Sequence, residues 1–364
     1  MKKAKNILFR MKLKGNGIVN FDSSDQKFMY NGTNLNNMKT MHDNTSYAKK
    51  KFYRDGDKTS YNISISSDCI RHDVFKDDVL FQSPNVINNE HLLYSFIASP
   101  ASIIRGYLFA NEKETLKRKG ALCITDAEQT CNAISSIETF SRSGLKNTDI
   151  EKTDNSFYKK EVVGNIEYAT IGNIDLMQLQ FISCDQIFDR FSFNPDMYNI
   201  YKQFLKTKMP SFDSELGYYQ INNSLIEISE YGFKMSNDNI QLLVRELFER
   251  LLKFNIKRKG AFVETAELEY KIVYDVIEDT LGSEEGWINI SNRADLTAIT
   301  FETEDFYVQE NTEVAKEKRA MIEADYESRK LEGKEKKAAK KEASKKSKTK
   351  STKIEANDTV EENA

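Results

Sequence analysis

The chain has 364 residues, 39% of them hydrophobic and 11% aromatic, with a formal net charge of −3. That is enough apolar material for one large or two medium domains, and the charged fraction of 30% is somewhat high for a globular protein. No apolar run reaches the length of a membrane span, and Ile7–Phe9 is flanked by Lys and Arg rather than forming a signal-peptide core, so a cytoplasmic protein without membrane contact is expected.

Asn6–Lys14 alternates Ile7, Phe9, Met11 and Leu13 with Leu8, Arg10, Lys12 and Lys14, which predicts a half-buried strand with a basic outer face. Gly15-Asn16-Gly17 ends it as a turn, because no third glycine or helix follows to make a dinucleotide fingerprint. Residues 1–60 hold thirteen Lys or Arg against five Asp, a local charge of +8. A basic segment in an acidic chain points to a polyanion-facing surface, although any single charge run is also explained by an ordinary solvated face. Within the polar stretch Asp22–Ser60, Tyr47, Phe52, Tyr53 and nearby Tyr61 interleave with Lys49, Lys50, Lys51, Arg54 and Lys58. Cations that neutralise phosphates beside rings that stack on bases are what single-stranded nucleic acid requires.

Tyr61–Ser66 reads as a strand, and Ser67-Asp68 as caps for a short helix, Cys69–Phe75, carrying the adjacent Arg71 and His72. Glu90–Ile97 and Ala101–Phe109 read as helical pieces separated by Ser99-Pro100, with Arg105-Gly106 interrupting the second. That glycine allows either a close approach of backbone or phosphate, or a helix kink. Leu116–Thr125 joins the basic triplet Lys117, Arg118 and Lys119 to a short strand, Ala121–Ile124. Ile137–Asp154 shows little regular pattern but contains Phe140 and Arg142, a basic-aromatic loop.

Phe157–Arg190 holds two Gly-Asn pairs. Gly164-Asn165 predicts a two-residue hairpin between Phe157–Val163 and Ile166–Ile171, and Gly172-Asn173 a second turn before a strand, Ile174–Ser183, with Gln178 and Gln180 on one face. Asn194–Lys208 is expected to be a helix, Asn222–Ile228 a strand, and Asn239–Phe254 a core helix with a Leu/Phe stripe. Lys257-Arg258-Lys259-Gly260 then enters one or two strands over Ala261–Val276; such a turn either cradles a phosphate or is simply solvated. Thr312–Ala364, with fifteen basic and twelve acidic residues, reads as a charged helix passing into a disordered tail, a solubilising extension or a non-specific nucleic-acid arm.

Catalytic and metal signatures are not found. Cys69, Cys123, Cys131 and Cys184 make no CxxC pair and read as reduced, mostly buried thiols, and three histidines share no motif, so neither metal nor cofactor is expected. Ser143/Lys146 and Ser156/Lys159 match SxxK only by spacing, and Asp185, Asp189 and Arg190 read as a structural ion-pair group. These readings favour binding over catalysis.

Several short blocks then carry a resemblance in one order: Ser67-Asp68-Cys69-Ile70-Arg71-His72-Asp73-Val74-Phe75, Ile104-Arg105-Gly106-Tyr107, Lys117-Arg118-Lys119, Ile171-Gly172-Asn173-Ile174, Leu179–Asp185, Phe188-Asp189-Arg190 and Phe254–Val263. Over roughly residues 5–310 the chain resembles the backbone subunit of type I-F variant CRISPR Cascade complexes, in the Cas-seven group of RAMP proteins. The tail from Thr312 and the length of Asp22–Ser60 depart from that pattern. The resemblance implies an α+β fold with an RRM-like (ferredoxin-like) palm over residues 1–311, an inserted finger about 22–60 and a β-hairpin thumb about 138–172; the charged tail 312–364 is read from composition alone.

It further implies a subunit that polymerises with copies of itself along a CRISPR RNA, beside other Cascade subunits, and presents the guide to target DNA. The phosphate contacts expected are Lys49, Lys50, Lys51, Arg54, Arg71, Arg105, Arg118, Lys119, Arg142, Lys257, Arg258 and Lys259. His72 and Gln180 are expected at sugar or base edges, and Phe157 and Tyr158 as wedges between bases. Two other readings stay open: a related subunit cleaving target RNA with a metal ion at Asp22, Asp25, Asp43, Asp149 or Asp154, and a single-stranded RNA-binding protein outside CRISPR.

Overall fold

The structure is a computed structural model that describes residues 2–22, 29–30, 33–34, 45–56, 58–76, 89–110, 115–133, 135–145, 153–188, 190–224, 228–258, 260–277, 280–310, 313, 316–333 and 336. The first strand, β1 (Asn6–Asn16), is followed by β2 (Thr45–Ala48), β3 (Lys50–Asp55) and β4 (Lys58–Ile65), then by helices α1 (Ser67–Val74), α2 (Glu90–Ile97) and α3 (Pro100–Arg105). Short strands β5 (Tyr107–Ala110), β6 (Thr115–Arg118), β7 (Leu122–Ile124) and β8 (Ala127–Gln129) lead to three long ones, β9 (Ser135–Leu145), β10 (Thr153–Val163) and β11 (Asn165–Asp175). After them come α4 (Leu176–Gln180), β12 (Phe181–Asp185), α5 (Tyr198–Lys208), β13 (Gly217–Ile221), β14 (Glu230–Lys234), α6 (Asn237–Leu252), β15 (Asn255–Arg258), β16 (Ala261–Val273), α7 (Arg293–Ala298) and β17 (Tyr307–Gln309).

Among the described residues the largest sheet runs β15-β16-β1-β11-β8-β4-β3, with β7 beside β11. β1 lies in its interior, with antiparallel partners on both sides along its whole length: Phe9 stands opposite Gly172 on one side and Tyr270 on the other. Its alternation is realised as expected. Ile7, Phe9, Met11 and Leu13 are buried, and Arg10, Lys12 and Lys14 point to the other face.

Helix α6 covers the buried face. Ser236 caps it by accepting from the Asn239 N–H, and Ile240, Leu243, Val244, Leu247, Phe248 and Leu251 form a fully buried stripe. The Phe248 ring meets Phe9 edge-on, with centroids 6.2 Å apart. Each such side chain contributes about 1.5–3 kcal/mol through burial, which fixes the helix to the sheet.

A second sheet, β9-β10-β2 with Phe21–Asp22, contains a hairpin of two eleven-residue strands paired from Ser135↔Val163 to Leu145↔Thr153. The third sheet joins β12, β14, β13 and β17, with Arg190–Phe191 at its edge. The architecture is therefore mixed helix and sheet with almost wholly antiparallel pairing; the β10–β2 contact is parallel.

Several expectations are corrected. Gly164-Asn165 closes no hairpin: β10 and β11 belong to different sheets, and Gly164 is the bend between them, its carbonyl accepting from Gly17 at 3.3 Å. Gly172-Asn173 is no turn but the interior of β11. A Cβ at Gly172 would lie 2.2 Å from the Phe9 ring and 2.7 Å from the Cys123 carbonyl, so the glycine is there for close packing.

Ile174–Ser183 is not one strand. Asp175 caps α4 by accepting from the Gln178 N–H, and the buried Leu176, Leu179 and Gln180 follow helical i, i+3, i+4 spacing. Asn222–Ile228 is replaced, among its described residues, by a turn and irregular chain between β13 and β14. The supposed loop Ile137–Asp154 contributes to the two longest strands of the second sheet. Of the four thiols only Cys184 is buried; Cys69 and Cys131 are half-buried and Cys123 is exposed.

The charged region after Thr312 is helical over residues 316–333 and is docked. Arg319 is buried, pairs with the buried Asp185, donates to the Ser229 carbonyl at 3.2 Å, and sits over the Phe188 ring. The expected ion-pair group around Asp185 is thus real but has other partners: Asp185 takes Arg319, and Arg190 takes Glu230 at 3.3 Å. Asp189 lies outside the described residues.

Candidate nucleic-acid interface

The cations expected to hold phosphate fall into three groups. The first stands where α1 meets the turn between β15 and β16. Ser66 caps α1 from the start, and the helix ends with Arg71, His72 and Asp73 in its last turn. Arg71 pairs with Asp68 and is half-exposed, while His72, on the adjacent face, is exposed. Asp73 is buried; its carboxylate lies 3.4 Å from Arg258 and 3.9 Å from Lys76. Lys76 also donates to both the carbonyl and the side-chain oxygen of Asn255. Arg71, His72, Lys76, Lys257 and Arg258, separated by more than 180 positions in the sequence, are thereby brought to one end of the sheet. Lys257 is exposed and has no acidic partner among the described residues. Lys259 falls outside them.

The second group is the edge ribbon β3–β4, which faces solvent with Phe52, Tyr53 and Tyr61 at 39%, 38% and 51% exposure. Phe52 and Tyr61 are cross-strand partners with rings 5.9 Å apart. Lys50 lies 4.7 Å over the Tyr61 ring and bonds Glu161 at 2.9 Å, and Lys51 bonds Glu128 at 2.5 Å. Burial works to raise the Glu128 carboxyl, but the bonds from Lys51 and Tyr53 carry it below the usual range, and the same contact with Glu128 raises Lys51. Lys50 and Lys51 are therefore charge-balanced locally. Arg54, exposed, donates to the Gly56 carbonyl at 3.1 Å, and Lys49 joins the group through backbone bonds to Asn20 and Ser64.

The third group surrounds a crossing of two chain segments. Gly106, at φ +78°, ends α3, and a Cβ on it would lie 2.4 Å from the Gly120 nitrogen; one on Gly120 would lie 2.3 Å from the Arg105 carbonyl. The glycine in Ile104-Arg105-Gly106 thus serves a backbone-on-backbone contact and is neither a kink nor a phosphate approach. At this crossing Lys119 is exposed and Arg105 half-buried.

Arg118 points inward: it is 5% exposed and donates to the carbonyls of Ile103, Phe181 and Gln178 at 3.1, 3.1 and 2.6 Å. Burial lowers its pKa, and with every edge of the guanidinium engaged it is not placed to meet phosphate. Gln180 is corrected likewise. It is 2% exposed, donates to Glu304 O at 2.9 Å and accepts from Phe306 N at 2.8 Å, so it ties α4 to the segment before β17 rather than flooring a nucleic-acid groove.

Arg142, Phe157 and Tyr158 lie on the long hairpin, where backbone pairing sets Ser141 opposite Phe157 and Phe140 opposite Tyr158; their side chains are outside what is described. Two further cations near these groups escaped sequence reading. Lys76 stands in the same run as Arg71 but beyond the helix, and Lys160, over the Phe21 ring at 5.2 Å, stands at the hairpin base beside a 370 Å³ cavity. Among the described residues no group of three or more His, Cys, Asp or Glu is arranged to hold a metal, and no helix is long and apolar enough to cross a membrane.

Residues 4–281 match the family of type I-Fv CRISPR-associated proteins described as Cas7fv-like. The chain belongs to this family. The matched part of this Cas7fv-like chain includes all three cation groups and stops short of the docked helix. Among solved structures it is similar to a chain of a CRISPR RNA-guided surveillance complex, at 10% identity and a TM-score of 0.31, covering 73% of this chain and 68% of that one. A pre-nicking form of such a complex gives 8% identity and 0.33, covering 73% and 77%. A type III-B Cmr-beta complex bound to cognate target RNA gives 10% and 0.26, covering 47% of each chain. No curated protein matches.

Proposed function

We propose that this chain is an RNA-binding backbone subunit that polymerises along the spacer part of a CRISPR RNA in a Cascade-type surveillance complex and presents it for pairing with target DNA. The observation that carries this reading is the family match over residues 4–281. In this reading the sheet around β1 belongs to an RRM-like palm, the segment about 22–60 is the finger, and the β9–β10 hairpin is the thumb. Arg71, His72, Lys257, Arg258 and Lys259 take phosphate and sugar at the α1 end. Lys49, Lys50, Lys51 and Arg54 do so along the ribbon, and Arg105 and Lys119 at the glycine crossing. Arg142, Phe157 and Tyr158 act from the hairpin. The cationic end and the ribbon with exposed rings support a single-stranded ligand, since phosphate neutralisation and ring stacking act together on such strands. The role is binding and assembly with other copies and other Cascade subunits, not catalysis.

Co-expression with a CRISPR array tests it. The chain is expected to copurify as a multimer on RNA of array sequence, and a nucleic-acid-free monomer from that preparation would overturn the proposal.

A further inference from the structure

Asp73 is a carboxylate in an unfavourable place. It lies in the last turn of α1, where the helix dipole repels negative charge, and its side chain is only 4% exposed, so burial penalises it again. Two cations from outside the helix's own turns compensate it: Arg258, from the end of β15, and Lys76, which is also held by Asn255 at the start of the same strand. The Cys69 thiol, one helical turn back, donates to the same carboxylate at 3.8 Å, and burial followed by Asp73 raises that thiol's pKa. Arg258 reaches Asp73 through one nitrogen only. Its other terminal nitrogen touches the Lys257 carbonyl at 3.4 Å, and the side chain is 45% exposed. One side of the guanidinium is therefore clamped on Asp73 while nearly half of the side chain remains open to solvent.

We infer that Asp73 is a positioning residue for the cationic end, holding the half-exposed Arg258 in the orientation that receives a phosphate of the RNA, with Lys76 completing the compensation of the buried carboxylate. This rests on the proposed RNA-binding role and adds to it an acid that sequence reading would score as repulsive. The sign of its effect separates positioning from plain charge. An acid that merely sits near a polyanion weakens binding, so removing it strengthens binding; an acid that orients a phosphate-binding guanidinium does the opposite.

The test uses the full chain and a fluorescent single-stranded oligouridylate, titrated over a salt series. Asp73→Asn is expected to weaken binding about fivefold and to lower the logarithmic salt slope by roughly one unit, as one lost phosphate contact should. Asp73→Glu is expected to restore part of both. In an Arg258→Ala background, Asp73→Asn should add at most a small further loss, because the two act through one contact. Tighter or unchanged binding by Asp73→Asn, while Lys257→Ala and Arg258→Ala weaken it, overturns the inference and leaves the RNA-binding role standing. Unchanged binding in all of these variants overturns this end as an RNA site. Should Asp73→Asn unfold, the Asp73→Glu titration decides: binding tighter than the native chain overturns positioning, and weaker binding with a lowered slope supports it.

Discussion

The outer face of the large sheet and the end where α1 meets the β15–β16 turn carry similar numbers of cations and differ in what surrounds them. On the face, each cation of β1 has an acid on a neighbouring strand. Arg10 pairs with Glu269 and, at 2.9 Å, with Glu284, and stacks 4.5 Å over Trp287; Lys12 meets Glu267 at 2.5 Å and Lys14 meets Glu167 at 3.2 Å. The strand that looked like a basic stripe is a closed row of exposed pairs, which contribute little stability and leave little net field. At the α1 end Arg71 has its own acid in Asp68, but Arg258 and Lys76 share one buried acid, and Lys257 has none among the described residues. Polyanion binding is set by the excess of cations over acids within reach, not by the density of lysine along a strand.

The sharpest break in that comparison is expected from a cation that belongs to neither region. Arg118→Ala removes a buried guanidinium that donates to three carbonyls, so chemical denaturation should show a loss of about 3 kcal/mol or more. RNA affinity of the folded fraction should stay unchanged; a stable variant with weakened RNA binding would return Arg118 to the interface. A smaller effect is expected at the α1 end, where Lys257→Ala should lower the logarithmic salt slope by roughly one unit with no change in melting temperature. The smallest is expected on the sheet face: Lys12→Ala with Lys14→Ala should leave the salt slope unchanged. A slope falling as far as in Lys257→Ala would erase the distinction between the two regions.

Parts of the molecule with strong periodicity were legible in the sequence. β1 and α6 each bury one face of a long element against the same core, so their alternation and their helical stripe survive every other influence. The first strand of the β9–β10 hairpin was not legible in the residue pattern, because little of its described surface is buried and no core imposes a pattern on it; Ile137 is 54% exposed. α4 was lost to ambiguity, since five residues fit a strand or a helix and Asp175 decides by capping. Arg118 and Gln180 are instructive misreadings. Arg118 lies two residues beyond the buried Leu116, and Gln180 four beyond the buried Leu176, so period two in one case and a helical turn in the other turn each toward the interior. The grouping of Arg71 with Arg258 was beyond reach, because it depends on α1 packing against β15 from the far end of the chain.

The bend at Gly164 gives the hairpin a mechanical property. A strand of eleven residues reaches roughly 35 Å, so a rotation of one degree at its base carries the far end about 0.6 Å. A Cβ at Gly164 would meet nothing within 4 Å; the base of the hairpin is held by the hydrogen bond from Gly17, by the parallel pairing of β10 with β2, and by Glu161, which accepts from the Ala48 N–H at 2.9 Å and pairs with Lys50. The Lys50–Glu161 pair thus ties the base of the hairpin to the edge ribbon, so the orientation of the long strands and the charge pairing of the ribbon share one carboxylate.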